Sequence, residues 1–229
     1  VVAGATGRTG QRVVAELLRN PRYAVRGLAR DPGAAARAVP GGDQVQWLRG
    51  DVRKPETLAP ALKGAALLVS AIGATERSGP NGPEFVDFGG VRNLADAARE
   101  AGTRQFVLIS SMGVESGGGF VGWVLNLIGG DVLEWKARGE AYLRRSGVPY
   151  TIIRPGGLRD DAGGGKGIRF QQGDQGMGSI ARADVARVTV AALDNPDAVN
   201  RTFEIRDDDE LPPGGWAGQF RGLKPDPAP

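Results

Sequence analysis

The chain has 229 residues, enough for one α/β domain with a sizeable core and too few for two. It contains no cysteine and no histidine, which excludes disulfides, thiolate nucleophiles, the usual zinc sites, Ser-His-Asp hydrolysis and histidine acid–base chemistry. Its 29 basic and 26 acidic residues leave a net charge of only +3, scattered along the chain, so nucleic-acid binding is not expected and chemistry falls to Lys, Tyr, Ser, carboxylates or a borrowed cofactor.

Apolar runs alternate with amphipathic ones along the chain, the pattern of a parallel sheet with crossover helices. Val1–Ala3 predicts a first strand. The run from Thr9 to Arg19, with Val13, Val14, Leu17 and Leu18 at helical spacing, predicts the helix after it, ended by Asn20-Pro21. Tyr23–Ala29 predicts a second strand and Asp31-Pro32 a capped helix start. A third strand at Val45–Leu48 ends on Gly50-Asp51, and a short helix beginning near Pro55 is cut by Pro60. Ala65–Ala71 predicts a fourth strand. After a glycine- and proline-rich loop from Gly73 to Pro83, a helix from Glu84 to Ala101 leads into a fifth strand, Phe106–Ser110.

Beyond a glycine-rich segment over 113–130, Val132–Arg145 predicts a helix, with Asp131 and Glu134 as a capping box at its start. Tyr150–Ile153 predicts a sixth strand, Arg159–Gly178 a polar loop, Ala183–Leu193 a helix and Thr202–Ile205 a final strand. Trp216, Phe220 and Leu223 suggest a short terminal helix docking one face. The longest apolar stretch, Phe120–Ile128, is well short of the roughly 20 residues of a spanning helix, so no membrane span is expected. The whole predicts one domain over residues 1–229, a Rossmann-type doubly wound parallel sheet of about seven strands with helices on both faces.

The turn Gly4-Ala5-Thr6-Gly7-Arg8-Thr9-Gly10 follows the first strand directly and opens the first helix, the context in which such a glycine triplet cradles a diphosphate. Gly4 permits the tight turn, Gly7 lets a pyrophosphate approach and Gly10 lets the helix pack against the strand. The helix start adds free N–H groups and a positive dipole end. About 20 residues on, where a carboxylate would take the ribose 2′-OH of NAD, stands Arg30, with Asp31 next. A guanidinium suits a 2′-phosphate, and Arg8 can reach the same region, which favours NADP(H). The alternative leaves Arg30 in solvent and turns Asp31 onto the ribose.

Further segments join this turn: Gly50-Asp51-Val52, Ser70-Ala71-Ile72-Gly73, Asp87 through Ala98, Ser110-Ser111-Met112-Gly113, Trp135-Lys136, Tyr150 through Gly156 and Arg182-Ala183-Asp184-Val185. Together they resemble, over essentially the whole chain, the atypical short-chain dehydrogenase/reductases, specifically the NmrA-like NAD(P)-binding subgroup of plants and bacteria. The resemblance implies that Asp51 and Val52 contact the adenine and that Ala71, Ile72 and Gly73 line the cofactor's middle. Ser110 and Ser111 would lie near the nicotinamide, Lys136 would hold the nicotinamide ribose hydroxyls, and Pro155, Gly156, Gly157 and Leu158 would pack beside the ring. Substrate would be read by loops over 112–130 and 158–178. The expected compartment is the cytoplasm, or the plastid stroma if a targeting segment has been removed.

One departure matters. The superfamily's catalytic tyrosine stands four residues before the lysine, and here that position is Val132, which cannot transfer a proton. Two readings follow. The first is a reductase in which hydride transfer rests on proximity, with Lys136 and Ser111 as the candidate catalytic side chains and a quinone, flavin, tetrapyrrole or carbonyl as acceptor. The second is a non-catalytic NADP(H) sensor or scaffold that docks a partner protein. The apolar segment 120–128 fits a lid, a partner surface, a membrane-peripheral contact or a helix simply packed on the domain.

Overall fold

The computed structural model describes residues 1–115 and 131–228. Ten strands are present among them: β1 Val2–Ala3, β2 Arg26–Ala29, β3 Gln46–Arg49, β4 Leu67–Ser70, β5 Gln105–Ile109, β6 Tyr150–Pro155, β7 Gly157–Arg159, β8 Gly167–Gln171, β9 Ser179–Ala181 and β10 Arg201–Asp208. Six α-helices connect them: α1 Arg8–Leu18, α2 Pro32–Ala38, α3 Leu58–Leu62, α4 Gly89–Glu100, α5 Val132–Arg145 and α6 Arg182–Ala192. Eight strands form one sheet in the order β3-β2-β1-β4-β5-β6-β10-β8, and β7 pairs with β9 in a separate two-stranded ribbon. All neighbours in the large sheet run parallel except β10 and β8. The order reverses between β1 and β4, which opens a crevice at the carboxyl ends of those two strands.

The sheet is doubly wound because its strands alternate apolar residues between two faces. Val2, Val69, Val107 and Ile153 point to one face and pack under α1 and α6. Ala3, Leu68, Phe106, Leu108 and Ile152 point to the other, under α3, α4 and α5. On α1, Val13, Val14 and Leu17 supply the buried stripe. At the far edge Phe170 of β8, Phe203 of β10 and Phe220 meet with ring centroids 4.8 to 5.8 Å apart, and Trp216 lies 6.2 Å from Phe170.

The structure departs from the sequence expectations at several places, the β7–β9 ribbon among them. An eighth strand, β8, lies inside the expected polar loop over 159–178; Ile168 and Phe170 alternate there and bury one face, although glycines surround them. The expected helix from Glu84 opens as a π-turn over Glu84–Phe88 before α4 begins. The capping box at α5 does not form: Asp131 is left-handed (φ 59°), not extended as an N-cap residue must be, and Glu134 instead takes Arg138 at 2.5 Å. The terminal segment is a 3₁₀ turn, Ala217–Gly222, rather than an α-helix, as its four nearby glycines favour. Segment 120–128 lies outside the described residues. No helix among them is long and apolar enough to cross a membrane.

Candidate functional site

The crevice is built from the residues that follow each strand. Gly4 leaves β1 with φ 75°, and a Cβ there would sit 2.7 Å from the backbone carbonyl of Ala71. The N–H of Gly7 closes the turn on the carbonyl of Gly4 at 3.0 Å. Beneath it Gly10 is buried, and a Cβ at Gly10 would fall 2.0 Å from the oxygen of Gly4. Only glycine permits this close approach, which aims the start of α1 at the crevice. No side chain among the described residues caps that helix start, which leaves its first N–H groups open to an anion. This is a cradle of the shape and polarity that a diphosphate requires.

Gly4, Thr6, Gly7, Arg30, Asp51, Val52, Ala71, Ile72 and Gly73 line one cleft of about 230 Å³. Arg30 is exposed at its rim, and its guanidinium makes no hydrogen bond or ion pair among the described residues. Asp31 does not turn in: its carboxylate accepts the N–H of Ala34 at 3.0 Å and caps α2. Arg8 departs from expectation. It does not line the cleft but pairs with Asp160 at 3.0 Å, a carboxylate shared with Arg12 at 3.4 Å and Arg182 at 3.0 Å. Thr9 and Gly10 lie beside and beneath the turn rather than on the cleft wall.

Asp51 is already engaged. Arg53 donates from Nε at 2.9 Å and Nη2 at 2.6 Å to its two oxygens, and these bonds hold the Asp51 carboxyl below the usual carboxylate range. Arg53 also reaches Asn81 at 2.7 Å, and both residues join the cleft wall. Neither Arg53 nor Asn81 belongs to the residues expected at the site, although the spacing Asp51-x-Arg53 carries a signal for the pair. Val52 contributes packing: its side chain would meet a Cβ added to Gly90 at 3.0 Å, and its carbonyl takes Asn93 at 2.9 Å.

Ile72 also roofs a much smaller niche of about 10 Å³, lined with Asp87, Ser110 and Lys136 among others. Lys136 donates to Asp87 at 2.6 Å, and the other oxygen of Asp87 accepts the N–H of Ala74 at 3.0 Å. Asp87 is 1% exposed and Lys136 17%, so this ion pair sits largely out of water. Gly139 makes the meeting possible, because a Cβ there would lie 2.5 Å from the carbonyl of Asp87. Ser110 donates to the fully buried Glu140 at 2.6 Å.

The structure does not bring Ser111 to this niche; its hydroxyl turns back to the carbonyl of Met112 at 3.1 Å. Pro155, Gly156, Gly157 and Leu158 line neither cavity: Pro155 and Gly156 are buried at the end of β6, and Leu158 is 38% exposed. No tyrosine stands at the niche. Tyr142 bonds Asp96 at 2.8 Å, Tyr150 bonds Asp226 at 2.9 Å, and Tyr23 packs at the opposite end of the sheet. A larger cavity of about 430 Å³ opens at that opposite end. In sheets of this topology, however, ligands bind at the carboxyl ends of the strands, beyond the switch point.

Residues 4–196 match the family described as NAD(P)H-binding. The chain is 37% identical over 228 residues to an uncharacterised chloroplastic protein of Arabidopsis thaliana, covering 90% of this chain and 68% of that one. It is 34% identical over 244 residues to sanguinarine reductase of Eschscholzia californica, covering 90% and 87%. Among solved structures, an anaerobillin reductase from Escherichia coli O157:H7 superposes with a TM-score of 0.76 at 26% identity, covering 92% of this chain and 98% of the other. A glycine cradle at the switch point, an uncapped helix start and these relatives lead to one assignment: the chain belongs to the NAD(P)H-binding family of Rossmann-fold oxidoreductases, within the atypical short-chain dehydrogenase/reductase superfamily.

Proposed function

We propose that this chain uses NADPH to reduce a small electron-poor acceptor, without a tyrosine acid. The observation that carries this reading is the make-up of the inner niche, where Lys136 is paired with Asp87 and all three tyrosines stand elsewhere. Two relatives named as reductases support the direction of the reaction. Arg30 at the rim, with no hydrogen bond or ion pair from its guanidinium among the described residues, supports the 2′-phosphorylated dinucleotide, and the engagement of Asp31 in a helix cap argues against a ribose carboxylate. The chloroplastic Arabidopsis relative supports a plastid compartment.

In this reading the α1 start and Gly7 hold the diphosphate, Val52 and Ile72 pack on the adenosine side and centre, and Lys136 holds a ribose hydroxyl. Bound there, the dinucleotide supplies a hydride. The chain's own task is then orientation and exclusion of water. Without a placed acid, the suitable acceptors are those that accommodate the electron pair themselves. Quinones and flavins spread it over a conjugated system, and iminium cations become neutral amines. A simple ketone leaves an alkoxide that needs a proton at once, so it is the poorest candidate.

The test follows loss of reduced-nicotinamide absorbance with a panel of quinones, flavins, iminium salts and carbonyls. Turnover is expected on the first three classes, with NADPH preferred over NADH. Tight NADPH binding with no turnover on any class would replace this reading with the non-catalytic sensor or scaffold. Absence of binding to either dinucleotide would remove both.

A further inference from the structure

The niche beneath Ile72 has Lys136 on one side and Ser110 on the other, and about 10 Å³ of space accommodates one small polar group. A serine hydroxyl has a single proton to give. In Ser110 it goes to Oε1 of Glu140. Glu140 is fully buried, and among the described residues every other hydrogen bond to its carboxylate comes from a guanidinium: Arg154 Nε at 3.1 Å, Arg154 Nη2 at 2.8 Å and Arg144 Nη2 at 2.9 Å. A carboxylate held between two arginines is an acceptor in every direction, so Ser110 must be the donor. What remains of Ser110 for the niche is lone pairs. Lys136, with one ammonium proton on Asp87, faces the same niche as a donor.

From this polarity we propose that Glu140 is a positioning residue that fixes Ser110 as a hydrogen-bond acceptor, so that the niche takes a ligand hydroxyl that accepts from Lys136 and donates to Ser110. The inference rests on the cofactor site proposed above. It also means that Ser110 delivers no proton during reduction. The hydroxyl has two possible sources, the nicotinamide ribose or the acceptor itself, and the experiment separates them.

Calorimetry on the full chain compares NADPH with adenosine 2′,5′-bisphosphate, which carries the 2′-phosphate but has no nicotinamide ribose. Ser110→Ala removes the acceptor while leaving Glu140 on both arginines. Glu140→Gln presents an amide N–H to Ser110 and so turns the serine proton into the niche, against Lys136. If the hydroxyl belongs to the ribose, both variants weaken NADPH about three- to tenfold, the worth of one hydrogen bond, and leave the bisphosphate unchanged. Glu140→Asp, which keeps a charge between the arginines, falls between wild type and Glu140→Gln and serves if Glu140→Gln does not fold. If the hydroxyl belongs to the acceptor, the affinities for NADPH and the bisphosphate both hold and KM for a hydroxynaphthoquinone rises by the same factor at constant kcat. Equal weakening of NADPH and bisphosphate indicates a structural lesion and overturns the proposal. So does a Ser110→Ala protein with unchanged affinities and KM. Wild-type protein that binds neither nucleotide overturns the cofactor reading as well.

Discussion

The two ends of the cleft are made of different material. At the phosphate end the wall is backbone: a glycine turn, a helix start and the ends of β1 and β4, all set by contacts at atomic separations that leave no room for a Cβ. At the inner end the wall is side chains drawn from distant parts of the chain. Lys136 and Asp87 are 49 residues apart, and Ser110 and Glu140 are 30 apart. A backbone cradle is generic and binds what all dinucleotides share. A side-chain constellation is particular and can be rearranged without disturbing the cradle. The two ends are therefore separable in this molecule, and substitutions at them should fail in different ways.

The largest effect is expected at the cradle. Gly10→Val drives a branched side chain into the carbonyl of Gly4, where even a Cβ would lie at 2.0 Å; a loss of about 3 kcal/mol or more is expected, since the obstacle is backbone and cannot swing aside. Urea unfolding measures it, and a stable variant that still gives NADPH heat would show the turn to be more yielding than its contacts imply. Next comes the inner ion pair. Lys136→Met leaves the buried Asp87 carboxylate, among the described residues, with only the N–H of Ala74, at an expected cost of about 2 to 3 kcal/mol, below the range for fully buried pairs because Lys136 keeps some contact with water. Adding Asp87→Asn should recover most of that loss. A double variant no better than the single one would mean that the charge is not the cause.

Arg30→Asp sharpens the comparison from the rim. It should weaken NADP(H) by about 2 kcal/mol, or thirtyfold, and change NAD(H) little, as expected for losing a charge-assisted phosphate contact. Equal effects on both dinucleotides would remove Arg30 from the 2′-phosphate. The smallest effect concerns Glu204, which belongs to the inner network through Arg154 at 3.5 Å. Burial pushes its carboxyl above the usual range, and its Oε2 has no hydrogen-bond partner among the described residues. The folded state thus holds this proton more tightly than the unfolded chain does. The ionised carboxylate costs stability at neutral pH, and that cost fades as pH falls towards the unfolded value near 4. Glu204→Gln should therefore be more stable than wild type at pH 7, with the gap closing in acid. A gap that stays constant with pH would assign the gain to packing instead.

The same division explains what the sequence disclosed. The glycine turn, the alternating elements and the rim arginine are local features, legible because spacing along the chain equals arrangement in space. The strand order follows from topology rules acting on those elements. Partners of buried charges are not local. Nothing near Lys136 announces that Asp87 will meet it, and Arg8 could be expected at the 2′-phosphate only because Asp160, 152 residues away, was out of view. β8 was obscured for a different reason: its two inward residues, Ile168 and Phe170, make a short alternation amid glycines that favour loops. Glu140 was closer to legible, since it stands four residues after Lys136 on the same helical face.

The Asp87–Lys136 pair also bears on how such a chain could change over time. In a dehydrogenase with tyrosine and lysine on one helix, the lysine's positive charge makes the phenol a better acid. Here that charge already rests on a carboxylate. Replacing Val132 by tyrosine would return the phenol but not the electrostatic help, because Asp87 would go on neutralising its neighbour. Two coordinated exchanges, in separate segments, would be needed to assemble a lysine-assisted tyrosine acid here. The carboxylate therefore acts as a lock on the lysine: no single substitution at Val132 would both supply a phenol and free the ammonium that would assist it.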